Sequence, residues 1–155
     1  VFEADDSVDY TTLFEPTASE FEATGRGYIV ASVGEESGEV PYTAFAALGS
    51  YLEKERETAK AFLGAVRRGY EFMCESTPAE VAKSLAPSFD GTSEESLPIA
   101  VESYLAIDAW CSTPVMPEES LVRLQDIMEN AGERETRVSF DDIVDNSIAE
   151  EIMKQ

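Results

Sequence analysis

The sequence contains no histidine, and this absence removes several classes of site at once. Ser-His and Cys-His catalytic pairs and the usual zinc sites need an imidazole. Only two cysteines are present, Cys74 and Cys111, and their spacing matches neither a metal motif nor a disulfide framework. We therefore expect no metal or other cofactor, and two buried free thiols, with a single disulfide as the alternative.

Basic residues are scarce, since 11 lysines and arginines stand against 32 acidic residues and give a net charge of −21. This balance argues against a nucleic-acid partner, because binding phosphates needs clustered lysine and arginine. The acidic residues are spread along the chain, which favours a solvated acidic surface over a cation-binding role. For the adjacent Arg67 and Arg68, salt bridges are the simpler interpretation and an anion site is the alternative.

Long apolar runs are absent too, so no segment is expected to span a bilayer. The first residues, VFEADDSVDY, include neither methionine nor a signal-like pattern, which suggests a piece of a longer chain. The 155 residues, 43% of them hydrophobic, are enough for one domain with a sizeable core.

Strand-like patterns occupy the first third of the sequence. Residues 8–14 are aromatic and β-branched, residues 27–34 form an apolar run between glycines, and residues 42–49 favour a strand, with a helix as the alternative. Between the first two, Pro16 suits the first turn of a short helix that Gly25 would end.

Helical patterns dominate from residue 56 onward. Five helices are predicted: one ending near Ser76, one over residues 78–85, one after the Thr92/Glu95 capping box, one from Pro117 to Gly132, and one capped by Ser139 and Asp142. In the third of these helices, Pro98 would either kink the helix or delay its start. Their apolar faces predict core. On the first helix, that face consists of Ala59, Phe62, Leu63, Val66, Tyr70 and Met73.

The predicted fold class is therefore α/β and helix-rich, with about three strands followed by about five helices. The helices outnumber the strands that they could cover, so more of the fold is expected on the N-terminal side.

The junction LFEPTA places Glu15 where a predicted strand leads into a helix. Ligands of open α/β sheets bind at such junctions, where Glu15 can accept hydrogen bonds from a ligand and Thr17 and the helix N–H groups can bind an acceptor. From the pattern alone, the simpler interpretation is that Glu15 interacts with the end of its own helix.

Three further features are open to two interpretations. The glycine-containing loop 32–43 can act as a hinge or approach a ligand closely, or be a plain surface loop. Tyr42 and Phe45 can stack on a planar ligand, but aromatic residues in strands are more often core. Trp110 can also stack, although packing is the simpler interpretation.

A family resemblance rests on three stretches of the sequence. DYTTLFEPTASEFEATGRGYIVASVGEESGEVPYTAF, ETAKAFLGAVRRGYEFMCESTPAEVAKSL and LVRLQDIMENAGERETRVSFDDIVDNSIAEEIMK resemble, in order and spacing, the C-terminal half of an ABC-importer substrate-binding protein. The resemblance is to the NMT1/THI5-like (NitT/TauT-type) group, which binds thiamine-precursor pyrimidines, nitrate, sulfonates or taurine.

The resemblance implies a partial type II periplasmic-binding-protein-like fold with the solute held in a cleft between two lobes. Residues 1–155 would form one domain, with 1–33 ending the second lobe, 34–41 a hinge-like crossing and 42–155 the helical part of the first lobe. The implied ligand-binding residues are Phe14, Glu15, Pro16, Thr17, Ser32, Gly34 and Tyr42.

The implied function is solute capture for import, without catalysis, together with ABC permease and ATPase subunits. The implied location is extracytoplasmic, either periplasmic or lipid-anchored at the cell surface. We expect an aminopyrimidine ligand ahead of sulfonate or nitrate, because the Glu15 carboxylate disfavours anions.

Two alternatives remain. The first is an interaction or oligomerisation module that pairs with a second copy, because exposed strand edges invite pairing. The second is an enzyme on the same scaffold. The pyrimidine synthases of the group consume a histidine and carry a cysteine-rich motif, and this chain has neither.

Overall fold

A computed structural model describes residues 2, 4, 7–93 and 95–154 of the chain. Within these residues the chain forms nine α-helices, one 3₁₀-helix (Ala86–Ser88) and no β-strand. The α-helices are α1 (Thr17–Ala23), α2 (Val33–Ser37), α3 (Gly49–Lys54), α4 (Arg56–Glu75), α5 (Pro78–Leu85), α6 (Ser96–Ala106), α7 (Glu118–Asn130), α8 (Phe140–Ile143) and α9 (Ser147–Met153). The predicted α/β class, with about three strands and a partial type II periplasmic-binding-protein-like fold, is therefore wrong.

The three segments predicted as strands are mainly irregular. The last residues of the second segment belong to α2, and the last residue of the third begins α3. A strand needs a neighbour that pairs with its backbone groups, and no such pairing forms in the described part of the chain. The apolar side chains of these segments stay exposed instead, Tyr28 by 87% and Leu48 by 76%. Tyr42 and Phe45 are both exposed, so the core interpretation of these two residues is wrong, and stacking on a ligand stays a prediction.

Most helix boundaries agree with the predictions from caps and stop residues. Pro16 precedes α1, and Gly25 follows it with φ +69°, a conformation that glycine adopts without steric cost. At α5 the Thr77 hydroxyl accepts the Glu80 N–H at 3.3 Å, while the Glu80 carboxylate accepts the Thr77 N–H at 2.9 Å. This reciprocal pair is a capping box, which satisfies two helix-end donors.

Of the two alternatives for the helix after Thr92, the later start is confirmed, whereas the single last helix that was predicted is wrong. The helix after Thr92 begins at Ser96, so Pro98 lies in its first turn and its missing N–H breaks no hydrogen bond. The predicted last helix is two helices, α8 and α9. Val144 takes an extended conformation between them, and the Asn146 side chain bonds the Met116 backbone in both directions, at 3.0 and 2.9 Å.

The chain divides into two compact units. Unit 1 contains Val1–Glu36 and Phe72–Trp110, and unit 2 contains Ser37–Glu71 and Cys111–Gln155. The chain first passes from unit 1 to unit 2 between residues 36 and 37, which lie within the segment 34–41 that was predicted to be a hinge-like crossing. The assignment of one domain with two lobes and a hinge stays a prediction. No helix of the described residues is long and apolar enough to cross a membrane.

The core of unit 1 lies where α5 and α1 pack against α6. It consists of Val81, Ala82, Leu97, Ala100 and Val101. In unit 2 the buried apolar residues come from α7 and α9: Leu121, Ile148, Ala149 and Ile152. No residue from Arg56 to Glu75 is buried, so the apolar face of α4 is not the core that its pattern predicted.

The chain exposes more surface than its mass requires. Its accessible area is 11178 Å², and its mass is 17.0 kDa. Two separate compact proteins of half that mass would together expose about 9,300 Å², so the excess is about 1,900 Å². Much of the exposed apolar surface belongs to the irregular segments before residue 49. The chain therefore leaves apolar surface that another polypeptide can cover.

Both cysteines differ from the prediction of buried thiols. Cys74 and Cys111 are exposed, and no disulfide joins them. Cys111 has a left-handed backbone conformation, with φ 54°.

Three buried serines give a test of hydrogen-bond satisfaction. Among the described residues, the hydroxyls of Ser19 and Ser120 have no hydrogen-bond partner, whereas the Ser96 hydroxyl lies 2.6 Å from that of Ser93. We expect Ser120→Ala to raise the free energy of unfolding by about 1 kcal/mol, because it removes an unsatisfied buried group. The matched Ser96→Ala variant should lower it by about 0.5–1 kcal/mol. Urea denaturation of both variants checks this, and a loss of stability in Ser120→Ala would contradict it.

An ion cluster joins α4 to α9 within unit 2. The Glu151 carboxylate accepts hydrogen bonds from Lys60 Nζ at 2.6 Å and Arg56 at 3.1 Å. The Arg67 guanidinium pairs with Glu71 at 2.9 Å and donates to the Ile152 carbonyl at 2.7 Å. The salt-bridge interpretation is therefore confirmed for Arg67, while Arg68 forms no ion pair among the described residues.

This cluster predicts a pH dependence of stability. The hydrogen bond from Lys60, with help from Arg56, lowers the pKa of Glu151 below its ordinary value of 4.5, and the same bond raises the pKa of Lys60. The Glu151 contribution is present above pH 4.5 and is lost as the pH falls through the lowered pKa. The Lys60 contribution is present below pH 10.5 and is lost as the pH rises through the raised pKa.

We expect Glu151→Gln to be less stable than the unmodified chain at pH 7, with the difference shrinking toward pH 3. Urea midpoints measured across this range check the expectation. Glu150→Gln, on the same helix, is the control and should show no such trend. A difference that stays constant with pH would show that ionisation of Glu151 is not its source.

Candidate functional site

Glu15 lies directly before α1 and interacts with that helix. Its Oε2 accepts the Ser19 N–H at 3.1 Å, which satisfies one of the unpaired donors of the first turn. Pro16, after a cis peptide bond, occupies the cap position without a side-chain hydrogen bond. The capping role of Glu15, the simpler of the two sequence interpretations, is therefore present in the structure.

Part of the Glu15 carboxylate stays available. The residue is half-buried, and within the described chain its Oε1 has no hydrogen-bond partner and its charge forms no ion pair. A half-buried, unpaired carboxylate oxygen is a strong acceptor for a ligand N–H group. The geometry is thus compatible with capping and ligand binding at once, and the ligand-binding role stays a prediction.

Tyr104 of α6 is a part of this site that the sequence did not reveal. Its hydroxyl oxygen accepts the Glu15 N–H at 3.2 Å across a separation of 89 residues. The Tyr104 ring meets Trp110 edge-on, with ring centroids 5.4 Å apart. Trp110 therefore packs, as its sequence context favoured, and it packs beside the residue that contacts Glu15. The sequence offered one sign of this contact: Tyr104 is an aromatic residue near the end of the predicted helix.

Ser32 lies at the start of α2, and Gly34 approaches the C-terminal end of α6. The Ser32 hydroxyl accepts the Glu35 N–H at 3.3 Å and so supports the start of α2. A Cβ added to Gly34 would lie 3.0 Å from Cδ1 of Ile107, the residue directly after α6. Glu15 and Gly34 thus both lie near the C-terminal end of α6, Glu15 beside Tyr104 and Gly34 beside Ile107.

The other predicted residues are less closely placed. Phe14 and Thr17 are exposed on either side of the Glu15-Pro16 junction. Tyr42 is exposed and belongs to unit 2, whereas the remaining predicted residues belong to unit 1. Among the described residues, no group of three or more cysteines and carboxylates could hold a metal ion.

Comparison with known proteins gives one informative similarity. The chain is 35% identical over 147 residues to a Bacillus subtilis (strain 168) protein named "Putative binding protein YtlA". The alignment covers 95% of this chain and 44% of the relative, so the chain spans less than half of that protein's length. No protein-family model matches the chain, and no solved structure matches it. The chain is therefore similar to a protein that is named for binding.

Proposed function

We propose that this chain is the C-terminal part of an NMT1/THI5-like solute-binding protein of an ABC importer. The similarity to a protein named for binding carries this proposal, and that name is consistent with a role other than catalysis. In this role the complete protein captures a solute and presents it to an ABC permease whose ATPase drives import. It works outside the cytoplasm, in the periplasm or anchored by a lipid to the cell surface.

The arrangement around Glu15 supports a small solute that carries amino groups. The unpaired Oε1 of Glu15 can accept a ligand N–H, and the Tyr104 and Trp110 rings offer aromatic surface beside it. The uncompensated negative charge of Glu15 repels nitrate and sulfonates. An aminopyrimidine therefore fits this set of residues better than those anions.

The test is calorimetric titration of the full-length protein with a hydroxymethyl aminopyrimidine, taurine and nitrate. We expect the aminopyrimidine to bind and Glu15→Gln to weaken its binding about 10- to 100-fold, because a charged hydrogen bond is lost. Glu102→Gln, an exposed change on α6, is the control and should bind normally. Binding of taurine or nitrate without aminopyrimidine would overturn the ligand preference.

The exposed apolar segments favour a second candidate, an interaction or oligomerisation module. The excess area of about 1,900 Å² is larger than the roughly 800 Å² that each partner buries in a standard interface. The partner proposed for this surface is a second copy of the chain, and salt screens the repulsion between two chains of charge −21. Native mass spectrometry separates the candidates, because a dimer indifferent to all solutes favours the module.

A further inference from the structure

A second candidate site lies within unit 1, apart from the Glu15 junction. It is an open groove of about 430 Å³ between α1 and α6. Its lining residues are Ser19, Glu22, Ala23, Ile29, Ile99 and Ser103. None of these residues was predicted from the sequence to bind a ligand.

Hydrogen bonds connect the α1 and α6 regions at both ends of the groove. At one end the Glu15 N–H donates to the Tyr104 hydroxyl at 3.2 Å. At the other end the Ser93 N–H donates to the Glu20 carboxylate at 3.1 Å. Because both ends are fixed before any ligand arrives, binding in the groove needs little reorganisation.

The polar part of the groove is the Glu22 carboxylate, of which only one oxygen has a hydrogen-bond partner among the described residues. Glu22 Oε1 accepts the Ile29 N–H at 3.1 Å, which holds the side chain in place. Its Oε2 has no partner among the described residues, and no lysine or arginine there pairs with Glu22. The Ser103 hydroxyl, also on the groove wall, has no protein partner in the described chain. These groups suit a ligand that donates hydrogen bonds and carries positive charge.

The apolar part of the groove consists of Ile29 and Ile99. Their side chains are 47% and 48% exposed, although both line a concave surface. Covering half-exposed isoleucines with an apolar group is favourable, because it removes their remaining surface from water. Apolar walls with a few polar groups are typical of small-molecule sites.

We propose that this groove binds a small primary ammonium compound with a short apolar body. The ammonium group hydrogen-bonds Glu22 Oε2, and the apolar body covers Ile29 and Ile99. The net charge of −21 also raises the concentration of cations near the surface. The residues that line this groove differ from those of the proposed function, although Glu15 and Tyr104 fix one end of it, and the inference does not depend on that function.

The test uses methyl NMR of the isoleucines in the full-length protein, with n-butylammonium as the probe. We expect saturable shifts at the Ile29 and Ile99 methyl groups, and at least tenfold weaker binding of neutral 1-butanol and of butyrate. Glu22→Gln keeps an acceptor for the Ile29 N–H and should weaken n-butylammonium binding at least tenfold. The matched Glu102→Gln variant should bind as the unmodified protein does.

Three outcomes would overturn the proposal. The first is equal binding of 1-butanol, which would show an apolar crevice without charge recognition. The second is unchanged binding by Glu22→Gln. The third is an absence of shifts at both isoleucines, as expected if other parts of the full-length protein cover the groove.

Discussion

Replacing Leu97 with alanine is expected to lower the free energy of unfolding by about 2–4 kcal/mol. Leu97 is 5% exposed in α6, in the small core that α6 forms with α5. Truncation removes apolar contacts and leaves a cavity, because packed helices relax only partly into such a space. Few other apolar residues of unit 1 are buried, so this loss is a large part of the free energy of unfolding. For natural proteins that free energy is typically about 5–15 kcal/mol.

Urea denaturation of the 155-residue chain, followed by far-ultraviolet circular dichroism, measures this change. Leu13→Ala is the control in the same unit, because Leu13 is exposed and its truncation should cost less than about 1 kcal/mol. Equal effects of the two substitutions would show that the α5 and α6 contacts do not form the main core of unit 1.

Replacing Gln125 with methionine is expected to cost about 2–3 kcal/mol. The buried Gln125 side chain accepts the Val138 N–H at 2.8 Å and donates to the Val138 carbonyl at 3.3 Å. It thereby ties the segment after α7 to the helix itself. Methionine has a similar volume but offers neither bond, so both Val138 backbone groups lose their partner in a partly buried position.

Hydrogen exchange at the Val138 amide distinguishes this cause from a general loss of packing. Exchange should accelerate at Val138 more than at the buried amides of α9. Val122→Met, an exposed change on the same helix, is the control and should alter stability by less than about 0.5 kcal/mol. Slow exchange at Val138 in Gln125→Met would refute the proposed tether.

The helix ends show what can be predicted from residues that are close in sequence. The capping box of Thr77 and Glu80, the Pro117 start and the Gly132 stop all lie within a few residues of the helix ends that they specify. Such signals act through backbone groups close in sequence, so they can be read without knowledge of the fold. The break between α8 and α9 was missed because Asn146 bonds Met116, a residue 30 positions away.

The candidate site was only partly predictable for the same reason. Glu15 stood out because it precedes a proline at a helix start, and the structure shows its bond to Ser19. Tyr104 and the Glu22 groove did not stand out, since their roles depend on α1 and α6 lying side by side. Residue type alone gives no sign of such a pairing.

Burial was the property that local sequence patterns predicted least accurately. The aromatic and β-branched runs before residue 49 have strand-like composition, yet no neighbouring backbone in the described chain pairs with them, and their side chains stay exposed. Composition, charge and helix ends thus follow from residues near one another in sequence. Which apolar faces are covered, and which carboxylate oxygens remain free, follows from distant segments meeting in space, because a hydrophobic face or a backbone edge is satisfied only by a partner.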